Sequence, residues 1–79
     1  MKAKEMFDEL GWKLTFESSH ILTYEKKSRS GKSRRIIQFL LRHKEFCINE
    51  ESTFAQSYSI QELQAINKQI EELGWLKDE

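Results

Sequence analysis

The 79-residue chain has no proline, one cysteine, three glycines and no long apolar run, and each shortage removes a class of protein. No stretch approaches the roughly 18 to 20 apolar residues that cross a bilayer. The opening "MKAKEMFDEL" has charges where a signal peptide needs an apolar segment, so an intracellular, cytoplasmic protein is expected. Cys47 has no second cysteine with which to form an internal disulfide, metal cage or redox pair, which suits a reducing compartment. With 38% hydrophobic and 33% charged residues, the composition is that of a soluble globular domain and not of a disordered or collagen-like chain. A chain of this size buries only about 60 to 65% of the surface its unfolded form exposes. One domain, residues 1–79, with a core one layer deep is expected.

Chemical constellations are as scarce as proline. "SGKS", Ser30 to Ser33, has the tail of a phosphate-binding loop, but Lys26 stands five residues before Gly31, where that loop requires glycine. A hairpin turn accounts for the segment, because Gly31 sits among polar residues between two strand patterns. His20 and His43 have no ligand spacing to each other or to Cys47, and a stable zinc site needs at least three protein ligands. No histidine is positioned in the sequence to activate Cys47 as a nucleophile. The expectation is a protein with no enzymatic activity, no metal and no cofactor.

What is present is clear periodicity. Ala3, Met6, Phe7 and Leu10 fall on one helical stripe, and Gly11 stands just beyond. Ser59 and Glu62 form a capping-box pair, after which Ile60, Leu63, Ile66, Ile70 and Leu73 recur at three and four. This predicts a second helix from Ser59 or Ile60 to Leu73, with Asn67 and Gln69 on opposite flanks of its stripe and Lys68 in solvent. Between the helices the period changes to two. Trp12, Leu14 and Phe16 alternate with polar residues, and Leu22 and Tyr24 do so after Ser18-Ser19. "RRIIQFLLR" predicts a third, central strand, and "KEFCINE" a fourth with Phe46 and Ile48 on one side and Glu45, Cys47 and Asn49 on the other. "KKSRSGKSRR" becomes a long hairpin loop. The expected fold is α+β: helix, four-stranded antiparallel meander, helix, in a two-layer single domain.

The phrase "ELGW" occurs twice, at Glu9 to Trp12 and at Glu72 to Trp75. In both copies a helical stripe ends at Leu, Gly follows and Trp comes next. Glycine in the left-handed conformation ends a helix, and the apolar residue after it folds back onto the last turn. One stop signal explains both copies. Trp12 leads into a strand and is expected to be buried; Trp75 has less chain to cover it and is the candidate partner-binding residue.

"AKEMFDELGW", Ala3 to Trp12, and "LQAINKQIEELGW", Leu63 to Trp75, resemble the two ends of a family of small proteins carried by phages and prophages of Gram-positive bacteria. The matching positions span roughly a third of the chain, with AxEMFxELGW at the start and LxAINKQIxELGW at the end. The basic loop and the strands lie outside the match. The resemblance implies an origin in a phage genome and a place in the bacterial host cell, and it brings no activity with it.

Zero net charge hides a division. Lys26 to Lys44 holds eight basic residues and no acid, whereas Glu50 to Glu79 holds seven acids against Lys68 and Lys77. Such asymmetry marks either an electrostatic partner surface or two faces that neutralise each other within the fold. Two binding functions are therefore expected. The first is an accessory protein acting on a host or phage protein. The alternative is nucleic-acid binding through Lys26, Lys27, Arg29, Lys32, Arg34 and Arg35, with the arginine forks on phosphates. The chain is expected to act off the membrane, as a monomer or as a homodimer paired through an edge strand.

Overall fold

Both helices end as the repeated phrase predicts. The computed structural model describes residues 1–27, 33–50 and 57–76. Helix α1 spans Ala3–Glu9 and α2 spans Ile60–Glu72. Gly11 has φ +90° and Gly74 φ +75°, both in the left-handed region. The Gly11 amide donates to the Asp8 carbonyl and the Trp12 amide to Phe7; the Gly74 amide donates to Glu71 and the Trp75 amide to Ile70. That pair of bonds is the Schellman arrangement, in which the residue two past the helix end reaches back five positions. Each tryptophan is thereby turned toward the turn it caps. At the other end of α2, the Ser59 hydroxyl accepts from the Glu62 amide at 3.0 Å and the Glu62 carboxylate accepts from the Ser59 amide at 2.8 Å, closing the expected capping box.

The strands are β1 (Lys13–Glu17), β2 (Ile21–Lys27), β3 (Arg34–Leu40) and β4 (Glu45–Glu50). They form one antiparallel sheet in the order β1-β2-β3-β4, so the α+β meander with a central third strand is the observed architecture. The two helices pack beside each other on one face. Phe7 of α1 stacks on Tyr24 of β2 with ring centroids 4.1 Å apart, and meets Trp12 and Phe39 edge-on. Leu22, Ile37, Ala65 and Ile66 complete the buried core. Aromatic pairs of this kind each add about 0.5 to 1.5 kcal/mol beyond area burial, which matters in a core one layer deep.

Three expectations require correction. Phe16 does not share the face of Leu14: the register shifts between them, and Phe16 pairs with Thr23 while Leu14 pairs with Tyr24. One extra residue turns the rest of the strand to the other face, and Phe16 is left 55% exposed. The basic loop is shorter than Lys26 to Arg35, because β2 continues through Lys27 and β3 begins at Arg34.

The third correction concerns α2. Its buried face carries Glu62, Ala65, Ile66 and Gln69, with Ile70 and Leu73 partly buried, whereas Ile60 and Leu63 are exposed. At about 100° per residue that face centres roughly 30° to one side of Ile66, leaving Leu63 about 90° and Ile60 about 150° away. Two polar residues hold it there. Glu62 binds Trp12, just past the end of α1, and the sheet, and Gln69 accepts from the Tyr24 hydroxyl at 2.7 Å. Asn67, expected to flank the buried stripe with Gln69, is exposed; Lys68 is partly buried and pairs with Glu71 at 3.2 Å.

The two glycines differ in what a side chain would meet. A Cβ at Gly74 has nothing within 4 Å, and one at Gly11 meets the Lys26 side chain, Cε at 3.5 Å and Cδ at 4.0 Å. The cost of Gly74→Ala is therefore conformational, about 1 to 2 kcal/mol. Urea denaturation is expected to show that loss, with Gly74→Asn recovering part of it because asparagine tolerates the left-handed region.

Candidate interaction surface

Lys26 and Arg35 are directly opposed across β2 and β3. Like charges at that spacing repel unless a counterion sits between them. Glu62 supplies it. Its Oε2 lies 3.8 Å from Lys26 Nζ and 3.9 Å from Arg35 Nη1, and accepts from the Trp12 indole Nε1 at 2.8 Å. The Glu62 side chain is only 6% exposed. Burial pushes its carboxyl up, but the Ser59 amide, the Trp12 indole and the charges of Arg35 and Lys26 outweigh that and hold it below the ordinary 4.5. Arg35 is fixed on three further sides. Its guanidinium lies 4.0 Å over the Tyr58 ring, 5.8 Å from the Trp12 ring, and donates through Nη2 to the Ser57 carbonyl at 2.7 Å.

The basic residues singled out by sequence are thus distributed over several environments. Lys26 and Arg35 sit against Glu62 on the helix-covered side. Arg34 donates to Glu25 at 3.2 Å, and Glu25 also accepts from the Thr15 hydroxyl at 2.7 Å. Lys27 is exposed at the end of β2. Arg29 and Lys32 lie outside the described residues. Glu62 itself is legible in the sequence only as a cap. Its second role was signalled by the need of Lys26 and Arg35 for an acid, a need that appears once the strand register is known.

Trp75 occupies a different place. Trp12 is 1% exposed, while Trp75 is partly buried, its ring 6.2 Å from Phe39. On another side of Phe39 lies Phe46, with centroids 6.0 Å apart. The register carries Leu22 to Phe39 to Phe46 and Tyr24 to Ile37 to Ile48, so Phe46 and Ile48 point toward the helix side. Their neighbours in those rows are buried, yet Phe46 is 42% and Ile48 39% exposed, and Leu76 after Trp75 is 72% exposed. The helices cover the sheet up to Phe39 and leave β4 beyond them. Phe46, Ile48, Trp75 and Leu76 form the apolar margin of the domain.

Other chemistry is sparse. His20 and His43, distant in sequence, line one open groove of about 310 Å³ with Ile21, Leu40 and Arg42. Among the described residues no group of three or more His, Cys, Asp or Glu is arranged to hold a metal ion, and no helix is long and apolar enough to cross a membrane. Tyr24 is an unpromising acid or base: burial, then the negative charges of Glu72 and Glu17, push its phenol up to about 12. The chain matches no protein-family model, no curated protein and no solved structure.

Because Glu62 has a lowered folded-state pKa, its stabilisation is fully present above the unfolded value of 4.5 and is lost as pH falls through the folded value. Glu62→Gln is expected to destabilise the domain by roughly 1.5 to 3 kcal/mol near neutral pH, the range for hydrogen bonds to a charged group. The deficit is expected to shrink on acidification. Urea titrations of both proteins at a series of pH values measure it; a pH-independent deficit contradicts the assigned role.

Proposed function

We propose that this chain is a non-enzymatic accessory protein of phage or prophage type that acts by binding another protein, through the apolar margin formed by Phe46, Ile48, Trp75 and Leu76. The observation that carries the reading is that Phe46 and Trp75, both beside the fully buried Phe39, are exposed and only partly buried respectively, with Ile48 and Leu76 close to them in the chain also exposed. Exposed apolar patches mark interaction sites, and tryptophan is enriched among the residues that anchor protein interfaces. The phage origin rests on the resemblance of the two chain ends, and the expected setting is the cytoplasm of a bacterial host. A partner is then a host or phage protein that offers an apolar surface.

Nucleic-acid binding is the second reading, and less supports it. Lys26 and Arg35 have their charge opposed by Glu62, and Arg34 lies against Glu25. A binder with about four phosphate contacts is expected to show log affinity falling with log salt at a slope near −3.6, and absence of duplex binding at low salt removes this reading.

Two measurements test protein binding. With Trp75→Phe and Trp12→Phe variants isolating one tryptophan each, a neutral quencher is expected to reach Trp75 more readily than Trp12; equal shielding removes Trp75 as an anchor. In pull-downs from host lysate, Leu76→Asp and Trp75→Ala are expected to lower specific capture at least tenfold, the effect of a hot-spot residue worth about 1.4 kcal/mol or more. Leu76 is mostly exposed, so its variant tests the surface with the fold intact. Recovery of chaperones alone, or capture unchanged by both substitutions, contradicts the reading.

A further inference from the structure

The sheet has two edges, and they are built differently. β1 carries Lys13 and Glu17 at its ends and a register shift between Leu14 and Phe16, the features that discourage a strand from pairing with another chain. β4 is less protected: it too has a charged residue at each end, Glu45 and Glu50, but both are acids and the strand has no bulge. Its six pairs with β3 run without a shift from Arg35–Glu50 to Leu40–Glu45, and "EFCINE" has no lysine or proline. Its outer side pairs with no other strand among the described residues. Such an edge is a template for one more strand.

We propose that the strand it takes is β4 of a second copy of this chain, antiparallel about a two-fold axis at Cys47, which joins two four-stranded sheets into one of eight strands. The proposal rests on the protein-binding reading and names the partner. Its basis is the self-complementarity of β4. With the axis at Cys47, Phe46 lies opposite the partner's Ile48, Glu45 opposite the partner's Asn49, and Cys47 opposite the partner's Cys47. Apolar meets apolar, and the one charge in each outer pair meets a neutral amide. Neighbouring registers fail on the same residues. An axis between Cys47 and Ile48 opposes Glu45 to the partner's Glu50 twice, and an axis between Phe46 and Cys47 sets Glu45 against the partner's Ile48. Moving the axis to Ile48 sets Phe46 against the partner's Glu50, and moving it to Phe46 sets Glu45 against the partner's Cys47. Like charges or mismatched faces across a pair weaken a ladder. The favoured register also places the helices of both copies on one side of the joint sheet. The exposed Phe46 and Ile48 of each copy then meet beside Trp75, where a continuous apolar row replaces two open margins.

The register is testable at two positions. Directly opposed residues of an antiparallel pair have Cα atoms about 4.5 to 5.5 Å apart, within the span a disulfide accepts. Cys47 lies on the sheet face away from the helices, with Sγ 3.6 Å from Gln38 Oε1. Sedimentation equilibrium of the full chain over a wide dilution series is expected to show a reversible change between 9.5 kDa and twice that mass. Mild oxidation with copper phenanthroline is expected to trap the dimer through Cys47, and Cys47→Ser is expected to remain dimeric without being trapped. Asn49 is exposed, so substitutions there act on the pairing and spare the fold. Asn49→Lys, facing the partner's Glu45, is expected to tighten the dimer and Asn49→Glu to loosen it. Each change is about 2- to 30-fold in dissociation constant, the range for two symmetry-related cross-strand pairs. A chain that stays monomeric at every concentration overturns the proposal, as does a dimer that neither cross-links through Cys47 nor responds to charge at residue 49. A monomer that still captures another protein in a Trp75-dependent way overturns the dimer alone and leaves the protein-binding reading standing.

Discussion

Two cations opposed on neighbouring strands need an anion between them, and the way this chain supplies one organises the rest of the domain. Lys26 and Arg35 close the helix-covered end of the β2–β3 hairpin, and Glu62 is delivered to them from the first turn of α2. The same carboxylate uses one oxygen for the Ser59 amide and the other for the Trp12 indole. A single side chain thus joins the start of α2, the segment between α1 and β1, and the two central strands. A buried charge is tolerable only when such partners surround it. Glu62 therefore fixes the rotation of α2, and the exposure of Ile60 and Leu63 follows.

The other end of the helix pair is joined as well. Glu72, in the last turn of α2, accepts from the Ala3 amide at 2.7 Å, so its carboxylate caps the start of α1. An anion at a helix N-terminus satisfies a free amide and meets the positive end of the helix dipole. With Trp12 bound to Glu62 at one end and Ala3 bound to Glu72 at the other, α1 and α2 lie antiparallel and tied at both ends. Between the ties, Tyr24 and Gln69 join the sheet to the middle of α2. Three polar contacts around an aromatic core position both helices over β1 to β3.

The placement of the helices has a functional side. They cover the sheet as far as Phe39, and β4 with Trp75 and Leu76 falls at the margin. The charge asymmetry that suggested a basic binding loop is partly resolved inside the molecule, since Lys26 and Arg35 are opposed by an acid of the C-terminal half. Lys26 and Arg35 are therefore less available to an outside partner than the sequence alone suggests. This weighting underlies the proposal that the protein binds other proteins.

Much of the fold was legible because its signals are local. Gly11 and Gly74 mark helix ends through backbone conformation and Ser59 and Glu62 through a four-residue cap, while Leu22 and Tyr24 are marked by alternation and Ile37 and Phe39 by a short apolar run. The burial of Trp12 was also legible, since it leads directly into a strand pattern. Phe16 was not legible, since hydropathy does not reveal a bulge. Neither was the rotation of α2, since helical periodicity identifies a face only when the apolar residues are also the ones the partner layer contacts. Here Glu62 and Gln69 are drawn inward by groups on other elements, at a cost in exposed Ile60 and Leu63. By itself, the sequence determined the elements, their order and the devices that end the two helices, because those depend on residues within a few positions of one another. Only the tertiary structure decided which side chains share the space over β2 and β3, because charge pairing there joins residues 27 and 36 positions apart.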